Sequence, residues 1–89
     1  MLPVNYAILK YFTKVDEGSA DDVIEALKDK YGKSRLLKKN AVVEALMTAE
    51  KNFILEETRF ELDENNEIKI YYKAPEDGKA TINNYIKEK

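Results

Sequence analysis

The feature that most constrains this chain is a change of hydrophobic period near residue 52. Before it, apolar residues recur three and four apart, as on one face of a helix; beyond it they alternate. Tyr6, Leu9, Phe12 and Val15, widened by Ile8 and Tyr11, predict a first helix from Pro3 to about Val15. Pro3 suits its first turn, and Asp16-Glu17-Gly18 ends it. Ser19 is placed to accept from a first-turn amide of a second helix, with Asp21 and Asp22 near that helix's positive end. Val23, Ile24 and Leu27, extended by Ala20 and Tyr31, form its apolar side, and Gly32 reads as a left-handed stop. Lys33 to Lys39 is a basic connector with room for a helical turn at Leu36-Leu37. A third helix, Ala41 to Lys51, is expected behind an Asn40 cap, burying Val42, Val43, Leu46, Met47 and Ala49. Asn52 is expected to close it in the left-handed conformation.

The alternating part reads as two strands, 54–62 and 67–73. Ile54, Thr58, Phe60 and Leu62 line one, Ile68, Ile70 and Tyr72 the other, around Asp63-Glu64-Asn65-Asn66. Pro75-Glu76-Asp77-Gly78 reads as a break, and Lys79 to about Lys87 as a fourth helix with Ile82, Tyr85 and Ile86 on one side. A lone hairpin is at best marginal in water, so it must pack on the helices. The expectation is one α+β domain over residues 1–89: a three-helix core, a two-stranded antiparallel hairpin and a C-terminal helix. Its predicted core is Leu9, Phe12, Ile24, Leu27, Leu46, Ile54 or Leu55, and Ile70.

Composition narrows function by exclusion. Without cysteine there is no disulfide or thiolate metal site, and without histidine the usual neutral-pH base and commonest metal ligand are missing. Asp63, Glu64 and Glu67 lack the spacing of a calcium loop. No nucleophile motif accompanies the carboxylates, so no enzyme, metal or cofactor is expected. Neither a leader-like N-terminus nor a membrane-length apolar run is visible, which makes the cytoplasm the default expectation. The net charge of −2 is unevenly divided. Residues 28–39 hold six basic side chains against one acid, a local +5; residues 53–67 hold six acids against Arg59, a local −5.

Three helices capped by a hairpin is the winged helix-turn-helix arrangement, and three short stretches resemble PadR-like and MarR-like regulators. Ser19-Ala20-Asp21-Asp22-Val23 resembles the start of their second helix. Glu50-Lys51-Asn52-Phe53-Ile54-Leu55-Glu56-Glu57 resembles the Gly-Leu-Ile-like entry to the wing, with Asn for Gly. Tyr71 to Lys79 is similar to the return from the wing through a Thr-x-x-Gly turn, with Ala74 for Thr. The resemblance implies a small transcriptional regulator that binds double-stranded DNA through its third helix, often as a dimer through the first or last helix.

On that reading Lys38 and Lys39 hold phosphates, Lys33 and Arg35 grip the flanking backbone, and Lys51, Arg59 and Lys69 are lesser phosphate contacts. Asn40, Glu44 and Thr48 face base edges, with Asn40 suited to adenine and Glu44 to the cytosine amine. Plainer readings stand beside these: a solvated basic loop, Asn40 as a cap, Glu44 as a surface residue. The tyrosines read as core or interface aromatics. The acidic wing opposes a DNA contact there, and leaves a protein-interaction module as the alternative. A homodimer through the first and fourth helices is expected from their apolar faces, Tyr6-Ile8-Tyr11-Phe12 and Ile82-Tyr85-Ile86.

Overall fold

The computed structural model describes residues 2–87. Helix α1 (Val4–Tyr11) starts behind Pro3, whose carbonyl accepts from the Tyr6 and Ala7 amides. It stops at Tyr11 rather than Val15, because the Phe12 and Thr13 amides bond three residues back and tighten the chain out of the helix. Gly18–Ser19 form a strand, β1, which no periodicity could reveal because two residues hold no alternation. Ser19 also caps α2 (Ala20–Tyr31). The Asp22 amide donates to its Oγ at 3.3 Å, and its own amide donates to Asp22 Oδ2 at 2.9 Å, a reciprocal capping box.

Three further helix ends differ from the sequence expectation. Gly32 is right-handed (φ −57°), and the chain runs on into a single 3₁₀ turn, Arg35–Leu37, which Ser34 caps by accepting from the Leu36 amide. Helix α3 (Lys39–Lys51) begins ahead of Asn40, with extended Lys38 at the cap position and no side chain capping it. Asn40 therefore lies inside the first turn and is not the cap. At the far end Asn52 keeps φ −93°, and Phe53 takes the left-handed conformation at φ 64°. The Phe53 amide donates to Glu50, and those of Ile54 and Leu55 to Ala49, which turns the chain towards the sheet.

Strand β2 (Glu56–Leu62) starts two residues later than expected because Ile54 and Leu55 finish this reversal. It pairs antiparallel with β3 (Ile68–Lys73): Leu62 faces Ile68, Phe60 faces Ile70, and Thr58 bulges between Glu57 and Arg59. The hairpin is joined by β1, antiparallel to β3, so the sheet has three strands in the order β1-β3-β2 rather than two. The Asp63 carboxylate accepts from the Asn65 and Glu67 amides at 2.8 and 3.0 Å, and Asn66 supplies the left-handed residue. Pro75 to Gly78 opens α4 (Glu76–Tyr85) rather than breaking the chain: Pro75 sits at the cap and its carbonyl accepts from Lys79. Gly78 is obligatory there, since a Cβ would stand 2.1 Å from the Ile54 carbonyl oxygen.

Ile8, Phe12, Val23, Val42, Leu46, Leu55 and Ile82 are fully buried in one core, each contributing roughly 1.5–3 kcal/mol of transfer free energy. Of the expected core, Phe12, Leu46 and Leu55 lie within it, while Leu9, Ile24, Leu27, Ile54 and Ile70 pack half-buried around it. Met47, expected inside, is exposed. The apolar faces of α1 and α4 are largely consumed by this core: Ile8, Phe12, Ile82 and Ile86 are buried, leaving Tyr6 and Tyr85 outside. A core this small needs both helices, which removes most of the surface on which the expected dimer rested.

Candidate nucleic-acid interface

With Val42, Leu46 and Ala49 turned inward, the helical repeat puts Asn40, Glu44, Met47, Thr48 and Lys51 on the outer side of α3, all exposed. Asn40, Glu44, Thr48 and Lys51 follow one another at spacings of four and three, so they form one continuous stripe. Met47 was missed by the sequence reading. Its position on the helical wheel, well away from Val42 and Leu46, was the available signal. Glu44 and Thr48 also border a groove of about 470 Å³ shared with Asn5 and Leu9 of α1 and Leu36 of the 3₁₀ turn.

The basic side chains divide into two groups. Lys33, Arg35 and Lys38 are exposed and make no ion pair among the described residues. They lead into the N-terminus of α3, where no side chain caps the first-turn amides, so fixed charge and helix dipole act in the same sense. Lys39 sits apart from them. Its Nζ lies 2.7 Å from Asp21 Oδ1, and Lys69 approaches the other oxygen of Asp21 at 4.0 Å.

No family model and no curated protein matches the chain. Among solved structures it superposes on the crystal structure of Bacillus subtilis PadR in complex with operator DNA, with a TM-score of 0.73 and 21% sequence identity over 97% of this chain. The chain spans about half of that one, 48% of its length. This chain has a PadR-like winged-helix fold. In it α2, the 3₁₀ turn and α3 form the helix-turn-helix, and β2–β3 is the wing.

Arg59 belongs to this winged helix's scaffold at the root of the wing. Its Nε donates to Glu17 Oε1 and its Nη1 to Glu61 Oε2, both at 3.0 Å, and its guanidinium stacks 3.8 Å over the Tyr71 ring. Thr58 donates to the other Glu17 oxygen at 2.7 Å, and Tyr71 to the other Glu61 oxygen at 2.8 Å. The Thr58 hydroxyl and then Arg59 hold the Glu17 carboxyl below its usual range; Tyr71 and then Arg59 do so for Glu61. The wing is thus tied to the segment between α1 and β1. Arg59 is held by Glu17, Glu61 and Tyr71, whereas Asn40, Glu44, Thr48 and Lys51 are brought together on one face of α3. Among the described residues no group of three or more acids is arranged to hold a metal ion, and no helix is long and apolar enough to cross a membrane.

Proposed function

We propose that this domain binds double-stranded DNA as the reading head of a transcriptional regulator, with α3 in the major groove. The observation that carries this is the junction of three cations unpaired among the described residues, Lys33, Arg35 and Lys38, with the uncapped start of a helix whose outer face is polar and exposed. Those cations and the first-turn amides hold phosphates, which positions the helix. Asn40, Glu44 and Thr48 then meet base edges, Lys51 reaches the backbone beyond them, and Met47 offers an apolar surface for a thymine methyl. Lys39 joins the grip by exchanging Asp21 for a phosphate. Arg59 acts as the pin that orients the wing. The PadR structure, solved with operator DNA, lends support because its fold matches nearly all of this chain.

The test is a salt titration of binding to random and selected duplexes. Each lost phosphate contact lowers the slope of log affinity against log salt by about 0.9. Lys38→Ala should therefore weaken binding alike on all sequences, while Asn40→Ala or Thr48→Ala should change preference between sequences more than overall affinity. Arg59→Ala should leave the slope unchanged. No binding at low salt would end this reading.

A further inference from the structure

The wing carries a surface that the proposed DNA contacts do not use. Strand alternation puts Phe60 and Leu62 of β2 on the same face as Ile68 and Ile70 of β3, across the register pairs Phe60–Ile70 and Leu62–Ile68. Near the root of the wing Ile70 packs against the core. Towards the tip Phe60, Leu62 and Ile68 are 60%, 64% and 67% exposed. Glu57, opposite Tyr72, lies on this face at its base, and Glu64 and Glu67 stand at its tip; none of the three makes an ion pair or side-chain hydrogen bond among the described residues. The other wing acids are engaged: Glu56 with Lys73, Glu61 with Arg59 and Tyr71, and Asp63 in the turn. What remains is an apolar strip bounded by three carboxylates unpaired among the described residues, with Lys39, itself paired to Asp21, beside Ile68 and Ile70.

The same chain carries the complement. The connector into α3 holds three cations that are unpaired among the described residues, Lys33, Arg35 and Lys38, around Leu36, an apolar side chain 47% exposed. We propose that the wing's apolar face is a docking site for a second copy of this chain, whose connector seats Leu36 on Phe60, Leu62 and Ile68 while its cations meet Glu57, Glu64 and Glu67. Reciprocal seating, wing to connector and connector to wing, closes the pair. The alternative self-contact, β2 edge against β2 edge, brings Glu56, Glu57 and Glu61 of both copies together and is opposed by like charge. Because seating covers Lys33, Arg35 and Lys38, assembly competes with DNA; this consequence rests on the proposed function, whereas the assembly itself does not.

Sedimentation of the chain without DNA, at high micromolar concentration, decides it. Association is expected at about 20 mM salt and should be lost near 0.5 M, where screening reaches contact range. The triple variants K33E/R35E/K38E and E57K/E64K/E67K alter only exposed side chains, and circular dichroism checks that each remains folded. Each alone should associate at least about tenfold more weakly. An equimolar mixture should recover association, because every wing–connector contact between the two variants is again between opposite charges. A native chain monomeric at low salt, variants that associate as the native chain does, or a mixture that stays monomeric would each overturn the proposal. Binding of the native wing to a basic apolar peptide without self-association would assign the face to another protein instead.

Discussion

Residues 28–39, leading into α3, and residues 53–67, in and before the wing, carry equal and opposite charge, yet the two regions hold it differently. In the connector Lys33, Arg35 and Lys38 are left unpaired among the described residues. In the wing half the acids are drawn into its own construction: Glu61 orients Arg59, Glu56 meets Lys73, and Asp63 holds the turn. They also differ in what supports them. The connector runs straight into α3, whose inner face lies in the core, and Leu37 beside it is buried. Strand β2 is exposed at every residue and stays in place through its ladder to β3 and the Glu17–Arg59 tie. The lesson is that a segment's net charge does not measure its capacity to bind; the charge left over after internal pairing does.

The largest expected effect separates these two kinds of support. Leu46 is 1% exposed in the centre of the core, and Leu46→Ala should cost about 2–5 kcal/mol, much of the stability of a domain this size. The same truncation in the wing, Leu62→Ala, should cost less than about 1 kcal/mol, since that side chain already faces water. Urea melts of the two variants measure both. Equal losses would mean that the wing is built into the core rather than tied to it.

Long periodic segments were legible in the sequence: the four helices, the hairpin and the capping role of Ser19 are all present, though the bounds of α1, α3, α4 and β2 shift by two to four residues. Short or local features were not. Two residues of β1 hold no period, and whether Asn40 or Lys38 caps α3 depends on backbone angles set by the preceding 3₁₀ turn. Pro75-Glu76-Asp77-Gly78 has turn composition, yet it serves as a helix start because Gly78 lets α4 lie against Ile54. The positions of the basic residues were readable, but the partners of Arg59 and Lys39 come from elements distant in sequence, so which cations stay free was not.

A middle-sized effect sits at the joint between the two regions. Phe53 holds φ 64° with its side chain 86% exposed, a left-handed conformation bought with little burial in return. Phe53→Gly should therefore stabilise the domain by about 1 kcal/mol, relief of strain outweighing the added freedom of the unfolded chain. Phe53→Ala keeps the strain and should not stabilise. If both variants melt alike, strain at residue 53 is not what limits the joint, and the ring makes a contact that offsets it.

The smallest effect is the most selective, because it acts on the wing and leaves the connector alone. The Glu67 and then the Asn65 amide hold the Asp63 carboxyl below its usual range, as Thr58 does for Glu17 and Tyr71 for Glu61. A folded-state pKa below the unfolded one means that the unfolded chain binds more protons, so stability rises with pH across that window. The contribution is complete above the unfolded values of about 3.9 for Asp and 4.3 for Glu, and disappears as pH falls through the lower folded values. Acid should therefore loosen the turn and the Glu17–Arg59 tie, while the cationic connector keeps its charge. Asp63→Asn isolates one such group. It should be less stable than the native chain at neutral pH, and the difference should vanish as pH falls below the lowered folded value, where Asp63 is itself protonated. Denaturant melts between those limits, with hairpin amide resonances as a local readout, follow the convergence. A difference that stays constant with pH would mean that the Asp63 charge does not hold the turn, and that the wing owes its shape to the β2–β3 ladder alone.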